Sequence, residues 1–212
     1  VLSALVLTGL EPIWLTPEID SATGVPMGIP VSELERVLDQ KPIALLLTEP
    51  GYLGTISELS SLIAKAHENS IPVIIDAAWG AHFGFNQNIP QHVLQLGADA
   101  LITSVHKALP GYSASALLLA QGNLLNLDRI EQSFETTHTT SPAGAPLASI
   151  DACRALLQTR GEELTGQLLN NVKAFKSAIQ SNFDQPIFLN PEQFPTGRFD
   201  PVKIVLRANL LG

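Results

Sequence analysis

Short apolar runs alternate with amphipathic stretches over the first 120 residues of the chain. Each apolar run is rich in leucine or β-branched residues and has the length of a buried strand, whereas the stretch 58–69 repeats its apolar residues at helical spacing. Strands that alternate with helices in this way form βαβ units, whose parallel strands are apolar on both faces. Strands are predicted over 42–47, 72–76, 98–104 and 115–120, and a short helix over 91–96. The predicted fold is therefore α/β, with a mostly parallel sheet flanked by helices.

The pattern changes after residue 121, where helical periodicity dominates. Helices are predicted over 124–134, 146–158 and 162–182, followed by strands over 186–189 and 201–207. The apolar face of the third helix consists of Leu164, Leu168, Leu169, Val172 and Phe175. We expect residues 1–165 to be part of a major domain whose upstream part is missing. Residues 166–212 are expected to form a long connecting helix and the truncated start of a smaller α+β domain.

Composition and charge exclude several classes of function. The 212 residues are 45% hydrophobic with a mean hydropathy of +0.21, but no uninterrupted apolar stretch reaches the roughly 18 residues that a membrane span needs. A net charge of −8 and thinly spread basic residues argue against a nucleic-acid partner. The single Cys153 cannot form an internal disulfide, which favours a cytoplasmic location.

Two residues with catalytic potential stand at the ends of predicted strands. Asp76 is the last residue of one apolar run, and Lys107 follows another. Ligands of open parallel sheets bind beyond the carboxyl ends of the strands, so both side chains are expected at one region. A lysine held near apolar walls has its ammonium form disfavoured and can act as a nucleophilic amine. A carboxylate at the end of a buried strand is costly unless a partner pairs with it.

Each of these residues also has a simpler interpretation. Lys107 can extend into solvent, and Asp76 can form a turn or cap a helix. Together, however, they match what pyridoxal 5′-phosphate (PLP) requires, namely a lysine for a Schiff base and an acid against the pyridinium nitrogen. His82 is either a supporting hydrogen-bond donor or a half-buried histidine. His82, His106 and Cys153 lack the spacing of metal ligands, so no metal is expected.

Several motifs of the chain resemble the major domain of the Orn/Lys/Arg decarboxylases, which are fold-type I, aspartate-aminotransferase-like PLP enzymes. The resemblance covers about residues 1–161, and its Ser-x-His-Lys element is the most specific part. The motifs are 48–54 (TEPGYLG), 76–83 (DAAWGAHF), 97–99 (GAD), 104–109 (SVHKAL), 139–142 (TTSP) and 148–151 (ASID). Many family members have Glu and His where this chain has Ala77 and Trp79, and Gly51 replaces a commoner Thr.

The resemblance implies a role for each matching residue. Lys107 would be the Schiff-base lysine, Asp76 the partner of the pyridine nitrogen, and His106 a catalytic residue that contacts the phosphate or orients the lysine. The remaining cofactor-binding residues would be Ala78 under the ring, Trp79 lining the site, Ser104, which would contact the phosphate or orient the lysine, and Thr140 and Ser141, which would reach a neighbouring subunit's cofactor. The family's phosphate loop and ring-stacking His would lie before Val1.

The expected function is PLP-dependent decarboxylation of a basic amino acid, arginine, lysine or ornithine, in a homodimer or higher homo-oligomer. Another fold-type I reaction, transamination or aldol cleavage, remains open, since Arg198 and Arg207 are available to bind a carboxylate. A non-catalytic paralogue is the alternative from a different class. Its expected mark is loss of the lysine or the aspartate, and this chain keeps both Lys107 and Asp76.

Overall fold

The computed structural model describes residues 2–195 and 198–207. These described residues form five α-helices: α1 (Leu2–Thr8), α2 (Val31–Val37), α3 (Leu59–Glu68), α4 (Leu127–Thr137) and α5 (Gly144–Gln180). Six strands are present: β1 (Glu18–Ile19), β2 (Pro26–Gly28), β3 (Leu45–Thr48), β4 (Val73–Asp76), β5 (Ala100–Ser104) and β6 (Ala116–Ala120). Within the described ranges, no helix is long and apolar enough to cross a membrane.

The central sheet has the strand order β3-β4-β5-β6. β3, β4 and β5 are parallel, and β6 pairs antiparallel with β5. The predicted mostly parallel sheet is therefore confirmed, although the last strand runs the other way. The reason is the connection over 105–115, which contains no helix and is shorter than the dozen or more residues that a parallel crossover usually needs.

The short helix predicted over 91–96 is wrong. Overlapping hydrogen-bonded turns form there instead, in which the N–H groups of Gln95 and Leu96 donate to the carbonyl of His92 and that of Gly97 donates to the carbonyl of Leu94. Pro90 precedes these turns, and Gly97 ends them with a positive φ of 103°. A proline before the turns and a left-handed glycine at their end leave too few residues for a helix.

Only one face of the sheet is covered by the described residues. Leu47, Ile75 and Leu101 are buried on that face and belong to the same core as α3. On the other face, Leu46 and Ile102 are 45% and 39% exposed. The expectation that these strands are buried on both faces is therefore wrong for the described residues. The reason is that α3 connects β3 to β4, whereas the described connection from β4 to β5 contains no helix. Asp76 lies in register with Ile102, on the open face.

The two helices predicted over 146–158 and 162–182 form one continuous helix, α5. The helix continues through Gly161. A Cβ at this position would lie 2.8 Å from Cδ1 of Phe85, so the absence of a side chain lets the helix approach that ring. The predicted apolar face is wrong in part: Val172 is buried, whereas Leu168 and Phe175 are exposed. Burial follows instead the side of the helix that carries Gly161 and Thr165.

The segment after α5 returns to the loops beside the sheet. The strands predicted over 186–189 and 201–207 reduce to one isolated bridge, between Phe188 and Leu206, and a second bridge joins Phe199 to Thr55. A second, smaller core of Val25, Leu189, Phe194 and Phe199 holds this segment in place. Residues 196–197 and 208–212 of the predicted small unit lie outside the described residues. The boundary at 165 stays a prediction.

Candidate functional site

The site is built at the carboxyl ends of β4 and β5. The strands are parallel neighbours with Asp76 in register with Ile102, so Asp76 and Ser104 come to the same edge of the sheet. Asp76 is half-buried, and its Oδ1 accepts a hydrogen bond of 3.1 Å from the N–H of Ala78. Asp76 thus forms the turn that follows β4, as its simpler interpretation predicted. The same residue also lies at the candidate site.

The turn after Asp76 presents an aromatic surface. Ala78 and Trp79 are half-buried, and the Trp79 ring meets Tyr52 edge to face, with centroids 5.8 Å apart and an interplanar angle of 79°. Gly80 lets this turn approach the loop after β3, because a Cβ there would lie 3.0 Å from Cδ of Pro50. Two strand-end loops therefore share one wall of the site.

Lys107 reaches the same wall from the end of β5. Its Nζ lies 4.8 Å from the centroid of the Trp79 ring, a distance at which the ammonium group and the ring attract. The side chain is exposed, so the expectation of apolar walls around Lys107 is wrong for the described residues. The structure nevertheless brings Asp76, Ala78, Trp79 and Lys107 to one place.

Ser104 and His106 flank this lysine on either side of the strand end. Ser104 is buried as the last residue of β5. Nδ1 of His106 lies 2.7 Å from the carbonyl oxygen of Ser115, and only a protonated Nδ1 can donate to a carbonyl. The loop itself is fixed because the N–H of Gly111 donates to the carbonyl of Val105 at 3.0 Å. His106 is therefore held at a set orientation beside Lys107.

Thr140 and Ser141 are not brought to this cluster. Both are exposed in the turn between α4 and α5. The N–H of Ser141 donates locally, to Oγ1 of Thr139 at 3.2 Å. Within the part of the chain that the structure describes, neither side chain hydrogen-bonds to a residue of the Asp76–Lys107 region. Their predicted role toward a second subunit stays a prediction.

Sequence reasoning missed Lys203. Its Nζ lies 3.9 Å from the centroid of the Trp79 ring and 5.9 Å from that of Tyr52. Burial lowers the pKa of Lys203, the charge of Asp200 opposes this shift, and the charge of Lys107 adds to it. Lys203 lies far along the chain from the strand ends, so no local pattern pointed to it.

Two buried acids support the loops of the site. Glu49 follows β3, accepts a hydrogen bond of 3.0 Å from the N–H of Ser57, and burial raises its pKa to about 7. Asp200 is fully buried, and its Oδ1 lies 3.1 Å from Nε2 of His82. His82 is thus a buried, hydrogen-bonded residue behind the site rather than a half-buried one.

Comparisons with known proteins find a matching family and several relatives. Residues 1–203 match the family model for the Orn/Lys/Arg decarboxylase major domain. An arginine decarboxylase of Bacillus anthracis is 31% identical over 218 residues, which cover 100% of this chain and 44% of that protein. The chain therefore spans less than half the length of this relative.

Solved structures show the same fold. The constitutive lysine decarboxylase of E. coli superposes with a TM-score of 0.69 and 21% identity, over 85% of this chain and 28% of that one. A serine palmitoyltransferase of S. paucimobilis with a bound PLP–myriocin aldimine gives a TM-score of 0.54 at 20% identity, over 71% of this chain and 40% of that one. The predicted α/β architecture of PLP-dependent enzymes is thereby confirmed.

Proposed function

Because this chain belongs to the Orn/Lys/Arg decarboxylase family through its major domain, we propose that the full-length protein decarboxylates arginine, lysine or ornithine with PLP. The observation that carries the proposal is the placement of Asp76 and Lys107 at the ends of adjacent parallel strands, around Trp79. An amine and a carboxylate at such strand ends are the two groups that PLP chemistry asks of a protein.

The residues at this edge of the sheet fit the cofactor. PLP, when bound, supplies an electron sink for the charge left by the departing carboxylate. Ala78 is small enough for a flat ring to pack against it, and Ser104 and His106 offer a hydroxyl and an imidazole to a phosphate. The open face of the sheet beside Asp76 leaves the carboxylate accessible, since Ile102 next to it is 39% exposed.

Each residue has a definite task in this proposal. Lys107 would hold the cofactor through the amine at Nζ, the place that the amino group of the substrate would take. Asp76 would face the pyridine nitrogen and stabilise its protonated form. Nδ1 of His106 donates to the carbonyl of Ser115, which leaves Nε2 as the ring nitrogen available to a proton or a ligand. Trp79 forms the wall against which Lys107 lies.

Transamination is less well supported by the described residues. A transaminase of this fold usually needs an arginine for the substrate carboxylate. Nε of Arg198 donates to the carbonyl of Ile56 at 2.8 Å, and the charge of Arg207 acts on Asp20, whose pKa it helps to lower. Measuring released CO₂ against keto acid formed, from arginine, lysine and ornithine, separates the two reactions. Keto acid as the main product would overturn the proposal.

The decisive variant is Lys107→Ala in the full-length protein. We expect it to abolish CO₂ release and the visible absorbance of lysine-bound cofactor. Lys173→Ala is the matched control, since Lys173 is an exposed lysine of α5 and alanine suits a helix. A Lys107→Ala protein that keeps both signals would show that the reaction does not run through this lysine. A wild-type protein that binds PLP but releases neither CO₂ nor keto acid would favour the non-catalytic paralogue.

We further propose that the full-length protein is a homodimer or a larger homo-oligomer. Thr140 and Ser141 belong to the family motif at 139–142 and are exposed in this single chain. Residues that contact a second subunit must be exposed when one subunit is considered alone. Light scattering of wild-type protein and a Thr140→Arg variant tests this arrangement. A monomeric wild-type protein would overturn it.

A further inference from the structure

Two lysines converge on one aromatic ring of the site. Nζ of Lys107 lies 4.8 Å from the centroid of Trp79, and Nζ of Lys203 lies 3.9 Å from the same centroid. In the described ranges, neither ammonium group is within 4 Å of a carboxylate oxygen, although the charge of Asp200 is felt at Lys203. The site thus holds two like charges without an adjacent counter-ion.

The fold holds Lys203 in this place through Asp200. The N–H of Lys203 donates to the carbonyl of Asp200 at 3.1 Å, and the N–H of Asp200 donates to the carbonyl of Gly54 at 2.7 Å. Oδ1 of Asp200 also accepts from the N–H of Val202 at 3.1 Å and lies 3.1 Å from Nε2 of His82. The turn that carries Lys203 is therefore anchored to both loops of the site.

Gly54 gives the stem of Lys203 room to reach the ring. A Cβ at position 54 would lie 2.6 Å from Cγ and 3.0 Å from Cβ of Lys203. The φ of Gly54 is +96°, a backbone conformation that side chains rarely adopt. Position 54 thus both permits the turn after β3 and leaves open the path of the lysine.

Like charges that share a partly desolvated surface repel each other, and an anion between them removes the repulsion. The substrate of the proposed reaction carries such an anion. Its amino group takes the place of Nζ of Lys107, and its carboxylate is attached to the carbon next to that nitrogen. The carboxylate must therefore come close to the ring on which Lys203 lies.

We propose that Lys203 binds the carboxylate of the amino-acid substrate. This inference rests on the proposed function, because it takes Lys107 as the amine that the substrate displaces. A cation that holds the carboxylate before it leaves stabilises the bound substrate, and that contact is lost as the carboxylate departs. Lys203 is then a residue of substrate affinity and orientation, and its removal should raise KM without a matching fall in kcat.

The test compares each amino acid with the amine that lacks its carboxylate. In full-length, PLP-loaded Lys107→Ala protein, which cannot turn over, calorimetry gives the Kd for arginine and agmatine, lysine and cadaverine, and ornithine and putrescine. Adding Lys203→Met to this protein should raise the Kd of the amino acid that binds by about tenfold, the size expected for one charged hydrogen bond at a half-exposed position. The Kd of the corresponding amine should stay unchanged. Lys203→Arg should restore most of the affinity. Equal loss for acid and amine, or no loss, would overturn the proposal.

Two further measurements keep the result unambiguous. Gly54→Ala displaces the stem of Lys203 without removing its charge and should weaken the amino acid in the same selective way. If Lys203→Met weakened the binding of PLP but not that of pyridoxal, which lacks the phosphate, Lys203 would contact the cofactor phosphate. That result would overturn the carboxylate assignment. A protein without decarboxylase activity would refute the proposed function, whereas the comparison of acid with amine would still decide the role of Lys203.

Discussion

His82 and Asp200 form a buried pair that ties the segment after α5 to the turn after β4. Nε2 of His82 lies 3.1 Å from Oδ1 of Asp200, and the two side chains are 3% and 0% exposed. Nδ1 of His82 and Oδ2 of Asp200 have no hydrogen-bond partner among the described residues. A buried pair that is only partly satisfied tolerates the loss of either member poorly.

We therefore expect Asp200→Ala to destabilise the full-length protein strongly, by about 3 kcal/mol, since it leaves His82 buried without a partner. It should also weaken amino-acid binding, because Oδ1 of Asp200 accepts from the N–H of Val202 and lies beside His82, and alanine removes both of these side-chain anchors of the turn that carries Lys203. Urea denaturation and calorimetry measure the two effects. Asp184→Ala, at an exposed aspartate, is the control and should change neither. An Asp200→Ala protein as stable as this control would show that the pair contributes nothing.

Glu49 gives the stability a dependence on pH. Burial raises the pKa of its folded carboxyl group from 4.5 to about 7. Between these two pH values the folded state binds more protons than the unfolded state, so the contribution of Glu49 to stability is full below pH 4.5 and falls as pH rises through 7. The decrease amounts to about 3 kcal/mol.

Glu49→Gln should remove this decrease, because glutamine can still accept the hydrogen bond from the N–H of Ser57 but has no charge to bury. Relative to wild type, the variant should gain stability from pH 5 to pH 8. Urea midpoints measured over that range test the difference. Glu135→Gln, at an exposed glutamate of α4, should follow the wild-type profile. Parallel profiles for Glu49→Gln and wild type would contradict the prediction.

The sequence allows the prediction of those parts of the fold and site that depend on neighbouring residues. Asp76 and Lys107 could be found because each follows an apolar run, and the parallel pairing of β4 and β5 then brings them to one edge. The antiparallel direction of β6 could not be found in the same way. An apolar run states where a strand lies, whereas its direction depends on the length and path of the connection before it.

Lys203 shows what sequence patterns leave out. Its place at Trp79 depends on the bridge between Thr55 and Phe199 and on the missing side chain of Gly54, and both are contacts between distant parts of the chain. The continuity of α5 through Gly161 has the same origin. Glycine lowers helix propensity by about 1 kcal/mol, and that local signal is outweighed by the approach to Phe85.

Trp79 should report on cofactor binding. It lies beside Lys107, and PLP absorbs at the wavelengths where indole emits, so binding should quench its fluorescence. Trp79→Phe in the full-length protein should lose this part of the quenching. Trp14→Phe is the control, since Trp14 is the other tryptophan of this chain and is 64% exposed. If the Trp14→Phe and Trp79→Phe proteins were quenched to the same extent, the cofactor would not lie beside Trp79.

Two glycines of α5 should respond in opposite directions to alanine. A Cβ at Gly161 would lie 2.8 Å from Cδ1 and 3.3 Å from Cγ of Phe85, so the ring of that side chain must move. Overpacking of this kind costs about 1–3 kcal/mol, which exceeds the gain in helix propensity. Gly161→Ala should therefore lower the midpoint of urea denaturation.

Gly166→Ala is the matched substitution in the same helix. Its Cβ would lie 3.4 Å from Nδ2 of Asn86, an ordinary contact with the end of a flexible side chain. The gain in helix propensity then prevails, and the variant should be more stable than wild type by up to about 1 kcal/mol. If both variants gained stability, Phe85 would have to move away from Gly161 at no cost, and the approach of α5 to that ring would not explain why the helix has a glycine there.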